Sequence, residues 1–229
     1  MLSIISITQA DIAISANSFT TINLKQIQND KIEIYTPEKA ITAFLYPGIR
    51  IGCWNKIYKK DLIEKHKLRF IPELTTGEGL QFITNITQFA NHIGVGHRKV
   101  YYYRINNINS ATTKPNVERQ GKGSLATIEY IKNNLLIKSP QIEMALRWHT
   151  WSCYLYTLRN ISEAKEEKKY KDLYVKCIIV LRKETIPLLK TKISFKQKIK
   201  IILIGINPVI CTRLIILKRR IQIKSDKIE

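Results

Sequence analysis

Acidic residues are scarce in this chain: 18 Asp and Glu stand against 38 Lys and Arg, a formal net charge of +20 over 229 residues. That excess excludes no fold, but it favours anionic partners, whether nucleic acid, anionic lipid or a phosphorylated substrate. Cysteine is scarce too. Cys53, Cys153, Cys177 and Cys211 are isolated, without a Cys-x-x-Cys, and His66, His92, His97 and His149 form no ligand spacing. This excludes a zinc module and a disulfide framework and leaves reduced thiols as the expectation. Glycine-rich phosphate loops are missing, since Gly94-x-Gly96 alone is too little to cradle a phosphate. No run reaches the roughly 20 apolar residues of a spanning helix. The opening Met1-Leu2-Ser3-Ile4-Ile5-Ser6-Ile7 has neither a basic flank nor a long apolar core, so no secretory signal is expected.

What is present suits a globular chain with a substantial core: 45% of the residues are hydrophobic. Ile4, Ile5, Ile7, Ile12, Ala13 and Ile14 suit a buried strand interrupted near Gln9. Residues 15–35 read as a loop with a short strand. Thr36-Pro37-Glu38 is a helix start, with a cap, a proline at the first helical position and an acid in the first turn, and the helix should stop before Pro47-Gly48. A short helix is expected over 59–67 and an extended segment at Arg69-Phe70-Ile71. A helix over 77–90 turns Phe82, Ile83, Ile86, Phe89 and Ala90 inward. Residues 92–105 read as a strand, followed by turn chemistry at Asn106-Asn107-Ile108-Asn109-Ser110. Long helices follow over 117–137, 140–160 and 162–189. In the middle one Met144, Trp148, Trp151, Leu155 and Leu158 form a packed face, and Lys165-Glu166-Glu167-Lys168-Lys169 reads as a solvated helix surface. The expected division is an α/β part over 1–115, a helical extension over 116–191 and a basic tail over 192–229.

Four segments carry a pattern. They are Gly52-Cys53-Trp54-Asn55-Lys56-Ile57-Tyr58-Lys59-Lys60, Leu68-Arg69-Phe70, Gly77-Glu78-Gly79-Leu80-Gln81-Phe82, and Tyr101-Tyr102-Tyr103-Arg104 with Asn109-Ser110. Their order and spacing resemble the acceptor-side half of family 2 glycosyltransferases that build capsular and other surface polysaccharides. The resemblance implies a partial nucleotide-diphospho-sugar transferase fold, the C-terminal half, with Ala10-Asp11-Ile12 matching the strand that follows the metal-binding Asp-x-Asp in complete enzymes. Complete enzymes use a nucleotide sugar, a saccharide acceptor and a divalent Mg or Mn ion, which offsets the charge gathering on the leaving diphosphate. No Asp-x-Asp occurs in this sequence, so no metal site and no retained cofactor are expected.

By the same resemblance, the position of the family's general base falls at Gly79, which has no side chain to take a proton from an acceptor hydroxyl. Glu78 is the candidate catalytic substitute, although it points about 100° away around a regular helix. Trp54, Asn55 and Lys56 are candidate acceptor-binding residues: the indole would stack on a sugar and Lys56 would meet an anionic group. The alternative is a core anchor at Trp54 and a surface charge at Lys56. For Tyr101 to Arg104, packing competes with a place in the site.

Residues 185–225 contain no acid and ten cations. The apolar run 201–217 is broken by Asn207-Pro208 and carries Arg213, which favours two interfacial helices over a spanning one, with a core helical hairpin as the alternative. Lys196, Lys198, Lys200, Arg213, Lys218, Arg219 and Arg220 are the candidate membrane-binding residues. The expectation is a glycosyltransferase-like protein of surface-polysaccharide biosynthesis, truncated and without autonomous activity, peripheral at the cytoplasmic face of the cell membrane. The alternatives are a non-catalytic membrane-associated subunit, with a protein partner or self-association, and a basic nucleic-acid-binding protein that lacks a recognisable binding signature. Calorimetry with manganese and a panel of nucleotide diphosphate sugars should show no metal-dependent binding. Micromolar affinity abolished by a chelator would contradict the missing donor site.

Overall fold

The computed structural model describes residues 1–21, 23–46, 48–104, 113–191 and 193–225, without the side chains of 222–225. The fold is mixed α/β. Two compact units divide it, Met1–Ile105 with Thr127–Leu146, and Asn106–Ala126 with Arg147–Glu229. These cut across the three-part division read from the sequence: 127–146 goes with the first unit, and the tail shares its unit with the preceding helices. The Asn106 to Ser110 turn, Pro47 and Lys192 lie outside the described residues.

The first unit begins with α1 (Leu2–Thr8), β1 (Ile12–Ser15), β2 (Phe19–Thr20), β3 (Glu33–Tyr35) and α2 (Pro37–Leu45). It continues with β4 (Lys56–Tyr58), α3 (Lys60–Lys65), α4 (Glu78–Thr87), β5 (Ile93–Gly96) and β6 (Tyr102–Tyr103). One sheet has the order β3-β5-β1-β4, in which only β1 and β5 run parallel; β2 and β6 pair separately, also in parallel. The expected strand over 92–105 is therefore two strands in two sheets. Arg69 to Ile71 joins neither.

Alternation along β1 and β5 sets the layers. Ile12, Ile14, Ile93 and Val95 enter a core with Phe44 of α2 and Leu80, Ile83 and Ile86 of α4. The opposite face is made of small residues, Ala13 and the two glycines of β5, and α1 lies on it. A Cβ at Gly94 would stand 2.6 Å from Ile4 Cγ2 and 2.7 Å from Thr8 Oγ1. Gly94-x-Gly96 is thus a seat for a helix. This corrects the expectation of a strand at the N-terminus: Leu2 to Thr8 is helical, with Ile4 and Thr8 buried one turn apart and Gln9 left-handed at its end, φ 53°. Period-two alternation was never present there, and a β-branched run by itself does not fix a strand.

The helix start at Thr36 is as read: its hydroxyl accepts from Lys39 N, and Pro37 opens α2. Gly77, at φ 91°, precedes α4 in a left-handed conformation that suits glycine. At the N-terminal end of the parallel pair, Asp11 joins three segments. Its Oδ1 lies 2.8 Å from Lys59 Nζ, and its Oδ2 accepts from Asn91 N at 2.7 Å and Asn91 Nδ2 at 3.0 Å.

In the second unit a π-helical turn, Val117–Lys122, leads into α5 (Gly123–Asn134), followed by α6 (Pro140–Ala164) and α7 (Lys171–Lys183). α8 (Thr185–Leu189), α9 (Phe195–Ile206) and α10 (Pro208–Ser225) complete it, and the boundary between units falls inside α5 and α6. Trp151 and Leu158 of α6, Cys177 and Leu181 of α7 and Ile201 and Ile204 of α9 form the core, with Trp148 and Leu155 packed against it. Trp148, Trp151, Leu155 and Leu158 of the α6 stripe are packing, as read; Met144 is not part of this core. The course of the chain after α6 differs from expectation. Lys165 is left-handed at φ 58°, and residues 167–170 are turn, so the mixed-charge run interrupts the helix expected over 162–189. Tyr170 closes this corner, its hydroxyl donating to Glu118 Oε1 at 2.9 Å.

Burial by itself raises the Asp11 pKa, but Lys59 and the two Asn91 donors outweigh it and hold the carboxyl below its usual 3.8. A depressed folded-state pKa contributes stability that is complete above the unfolded value and lost as pH falls through the folded one. Asp11→Ala should cost about 2 kcal/mol at neutral pH. In denaturant titrations this deficit should shrink as pH falls below 3.8. A deficit independent of pH would show that Asp11 acts by packing alone.

Candidate functional site

In α/β sheets, ligands bind beyond the carboxyl ends of parallel strands. Here that end is formed by Ser15 of β1 and Gly96 of β5, which pair directly, and by the start of antiparallel β4 at Lys56. Asn55 is 1% exposed and joins β4 to β1: its Nδ2 donates to Ser15 O at 2.5 Å, while Ser15 N donates to its carbonyl at 3.0 Å. Ser15 Oγ lies 2.7 Å from Arg98 O and 2.9 Å from Asn17 O. Asn17 Nδ2 in turn donates to His97 O at 3.1 Å. His97 also meets two acids, through its amide to Asp30 Oδ1 at 2.5 Å and through Nε2, 3.7 Å from Glu33 Oε1. Sequence reasoning missed Ser15, Asn17 and His97; their only signal was position, just past strands that the topology makes parallel.

Lys56 is neither a projecting ligand nor a surface charge, which corrects both readings made from the sequence. The residue is 8% exposed, and its Nζ donates to Gly52 O at 2.5 Å, Arg50 O at 2.7 Å and Asn55 Oδ1 at 2.8 Å. Burial pushes this ammonium down to about 7, with Cys53 opposing the shift, while the three oxygens favour its charged form. The clasp shapes the loop before Trp54. Gly52 lies under the indole, so that a Cβ there would stand 2.1 Å from Trp54 Nε1.

Half-buried Trp54 stacks on Tyr101, with ring centroids 4.2 Å apart and planes at 27°, and on Tyr103 at 5.5 Å and 24°. Both tyrosines remain more than a third exposed. The arrangement combines the two alternatives for Trp54: the indole is anchored by neighbours, yet the cluster keeps open aromatic surface. Arg50, Arg98 and Arg104 are exposed cations on the same loops.

Gly79 completes the end. A Cβ on it would lie 3.2 Å from Ile51 O, 3.5 Å from Cys53 N and 3.5 Å from Gly52 Cα, so the first turn of α4 abuts the loop that carries Trp54. Glu78 is exposed, and among the described residues its carboxylate has no hydrogen-bond or ion-pair partner. Of the segments picked out by the sequence pattern, 52–58, 77–82 and 101–104 thus meet at one edge of the first unit, with Gly79 and not Glu78 turned toward the Trp54 loop; Phe70 stacks on Phe82 instead. No protein-family model matches the chain, and no curated protein matches it.

Among the described residues no group of three or more His, Cys, Asp and Glu side chains could hold a metal ion, and no helix is long and apolar enough to cross a membrane. The candidate membrane residues Lys196, Lys200, Arg213, Lys218 and Arg220 are exposed and Lys198 is half-buried. Arg219 is turned inward, its guanidinium 3.2 Å from Glu163 Oε2 on α6.

Gly52→Ala should force the indole off Tyr101 and cost about 1–3 kcal/mol, the usual range for overpacking. Near-ultraviolet circular dichroism and a denaturant titration measure both. An unchanged stacking signal and midpoint would mean that the indole does not rest on Gly52.

Proposed function

We propose that the chain is the acceptor-side part of a glycosyltransferase-like protein of surface-polysaccharide assembly, with the C-terminal half of a nucleotide-diphospho-sugar transferase fold, held peripherally on the cytoplasmic face of the membrane. One observation carries this reading: three of the segments selected for their resemblance to family 2 glycosyltransferases, 52–58, 77–82 and 101–104, converge on one open end of the sheet around Trp54. Had they been unrelated surface loops, nothing would oblige Gly79 to lie against the backbone of Ile51 to Cys53.

The same surface suits saccharide chemistry. A pyranose ring presents C–H groups to an aromatic face, and aromatic side chains provide large contact area at little entropic cost. Arg50, Arg98 and Arg104 supply positive charge for an acceptor bearing phosphate or uronate groups. Proton abstraction is another matter. Glycine stands where the family's base would be, and an exposed Glu78 faces elsewhere, so the proposed role is to hold the acceptor, with transfer requiring a donor half from a partner. The basic tail supports the membrane location, because ten cations without an acid over residues 185–225 create the field that draws a protein to anionic lipid.

Saturation-transfer NMR with acidic surface-polysaccharide oligosaccharides should show transfer into sugar ring protons. Trp54→Ala should weaken binding about tenfold, in line with the ~1.4 kcal/mol that a well-formed ring contact supplies. Equal binding by Trp54→Ala, or none to any oligosaccharide, would remove the acceptor reading.

A further inference from the structure

The two tail helices are each two-faced. On α9, Ile201 and Ile204 enter the core, whereas Phe195, Ile199, Ile202 and Ile206 are 40–77% exposed. At about 100° per residue these four fall within roughly 60° of one another, opposite the buried pair. α10 repeats the pattern after the Asn207 corner. Thr212 and Ile216 are buried, and Ile210, Leu214, Leu217 and Ile221 are 54–60% exposed. The spacing of four, three and four residues is the same on both helices. Two such uncovered apolar stripes are larger than the scattered exposed residues of an ordinary surface.

Charge decides what covers it. Lys196 and Lys198 lie roughly 80° to either side of the α9 stripe, and Arg213 and Lys218 flank that of α10 in the same way. Arg219, which would sit on the far side of α10, is neutralised by Glu163. Cations therefore border the apolar stripe while acids are absent from both helices. Lysine and arginine at the edge of an apolar face can extend their charged ends to lipid phosphates while the aliphatic groups between them enter the acyl boundary.

We infer that α9 and α10 form an insertion surface for anionic bilayers, in which the exposed apolar stripe of each helix enters the interface and the flanking cations select anionic headgroups. This rests on the peripheral-membrane reading above and adds that the apolar stripe, not the charge alone, holds the chain to lipid. Partial insertion also accounts for uncovered aliphatics on helices too broken to span.

Flotation of the full chain with vesicles of phosphatidylcholine alone, and of equal parts phosphatidylcholine and phosphatidylglycerol, tests it. The quadruple variant Phe195→Gln, Ile202→Gln, Leu214→Gln, Leu217→Gln changes only exposed positions, and circular dichroism checks its folding. Its affinity for the mixed vesicles should fall roughly 100-fold or more, since each inserted side chain is worth a factor of several. Neutralising Lys196, Lys198, Arg213 and Lys218 to Gln should instead abolish the preference for phosphatidylglycerol and leave weak binding to both vesicles. In a separate Phe195→Trp chain, brominated acyl chains should quench the added indole. Should the stripe variant bind like the parent, with salt releasing both, insertion is overturned while peripheral association stands. Failure of the parent to bind any vesicle overturns both. A parent dimer that the stripe variant dissociates without lipid would identify a second copy as the occupant and overturn the inference.

Discussion

The Lys56 ammonium is enclosed by Arg50 O, Gly52 O and Asn55 Oδ1, and the carboxyl end of the β1–β5 pair with its aromatic cluster depends on that enclosure. A buried charge stripped of partners costs on the order of several kcal/mol, so the loop that supplies the oxygens must keep its shape. Because the loop keeps its shape, the Cα of Gly52 offers a flat bed for the indole, and Trp54 reaches Tyr101 and Tyr103. Asn55 transmits the same constraint to β1 through Ser15. A single cation thus links a strand end, a loop and an aromatic surface that are separate in the sequence. A second buried lysine works in the same style nearby: Lys99 Nζ donates to Asn23 Oδ1 at 2.7 Å and Lys25 O at 2.6 Å, holding residues 23–26 against the segment that leads to Tyr101.

The sheet beneath is short, and its stability comes from having both faces covered by unequal layers. Large side chains face α2 and α4, while glycine and alanine let α1 lie close on the other side. Each end of the parallel pair is then tied by polar groups, Asp11 at one and Ser15 with Asn55 at the other. Strands of four residues have few ladder bonds to contribute, and these fastenings fix their register. The tail helices apply a different economy: one face completes the core of the second unit, and the other is left apolar and bordered by cations.

Much of this was legible in the sequence where local chemistry decides structure. Thr36-Pro37-Glu38 announced α2, the period of Phe82, Ile83 and Ile86 announced α4, and Asn207-Pro208 divided the tail. Readings failed where tertiary contact decides. Leu2 to Ile7 is rich in β-branched residues, yet it is a helix because small residues in a strand some 90 positions away make room for it. Lysine burial at Lys56 could not be seen either, since its acceptors are backbone carbonyls, which every residue possesses. The tail cations were legible as charge, but the inward turn of Arg219 depends on Glu163, far earlier in the chain. As for the site, the pattern named Trp54, Asn55 and Lys56, and the fold assigns them three distinct tasks: aromatic surface, strand tie and loop clasp.

The account turns on the claim that the Lys56 clasp organises the Trp54 surface. Amide hydrogen exchange followed by NMR in the Lys56→Met chain addresses it most directly, because methionine fills similar space without donors. The account requires that amides of residues 50–55 lose protection and that the ring-current shifts between Trp54 and Tyr101 collapse, while α2 and α4 keep the protection of the parent. Unchanged protection in that loop with an intact Trp54 stack would contradict it.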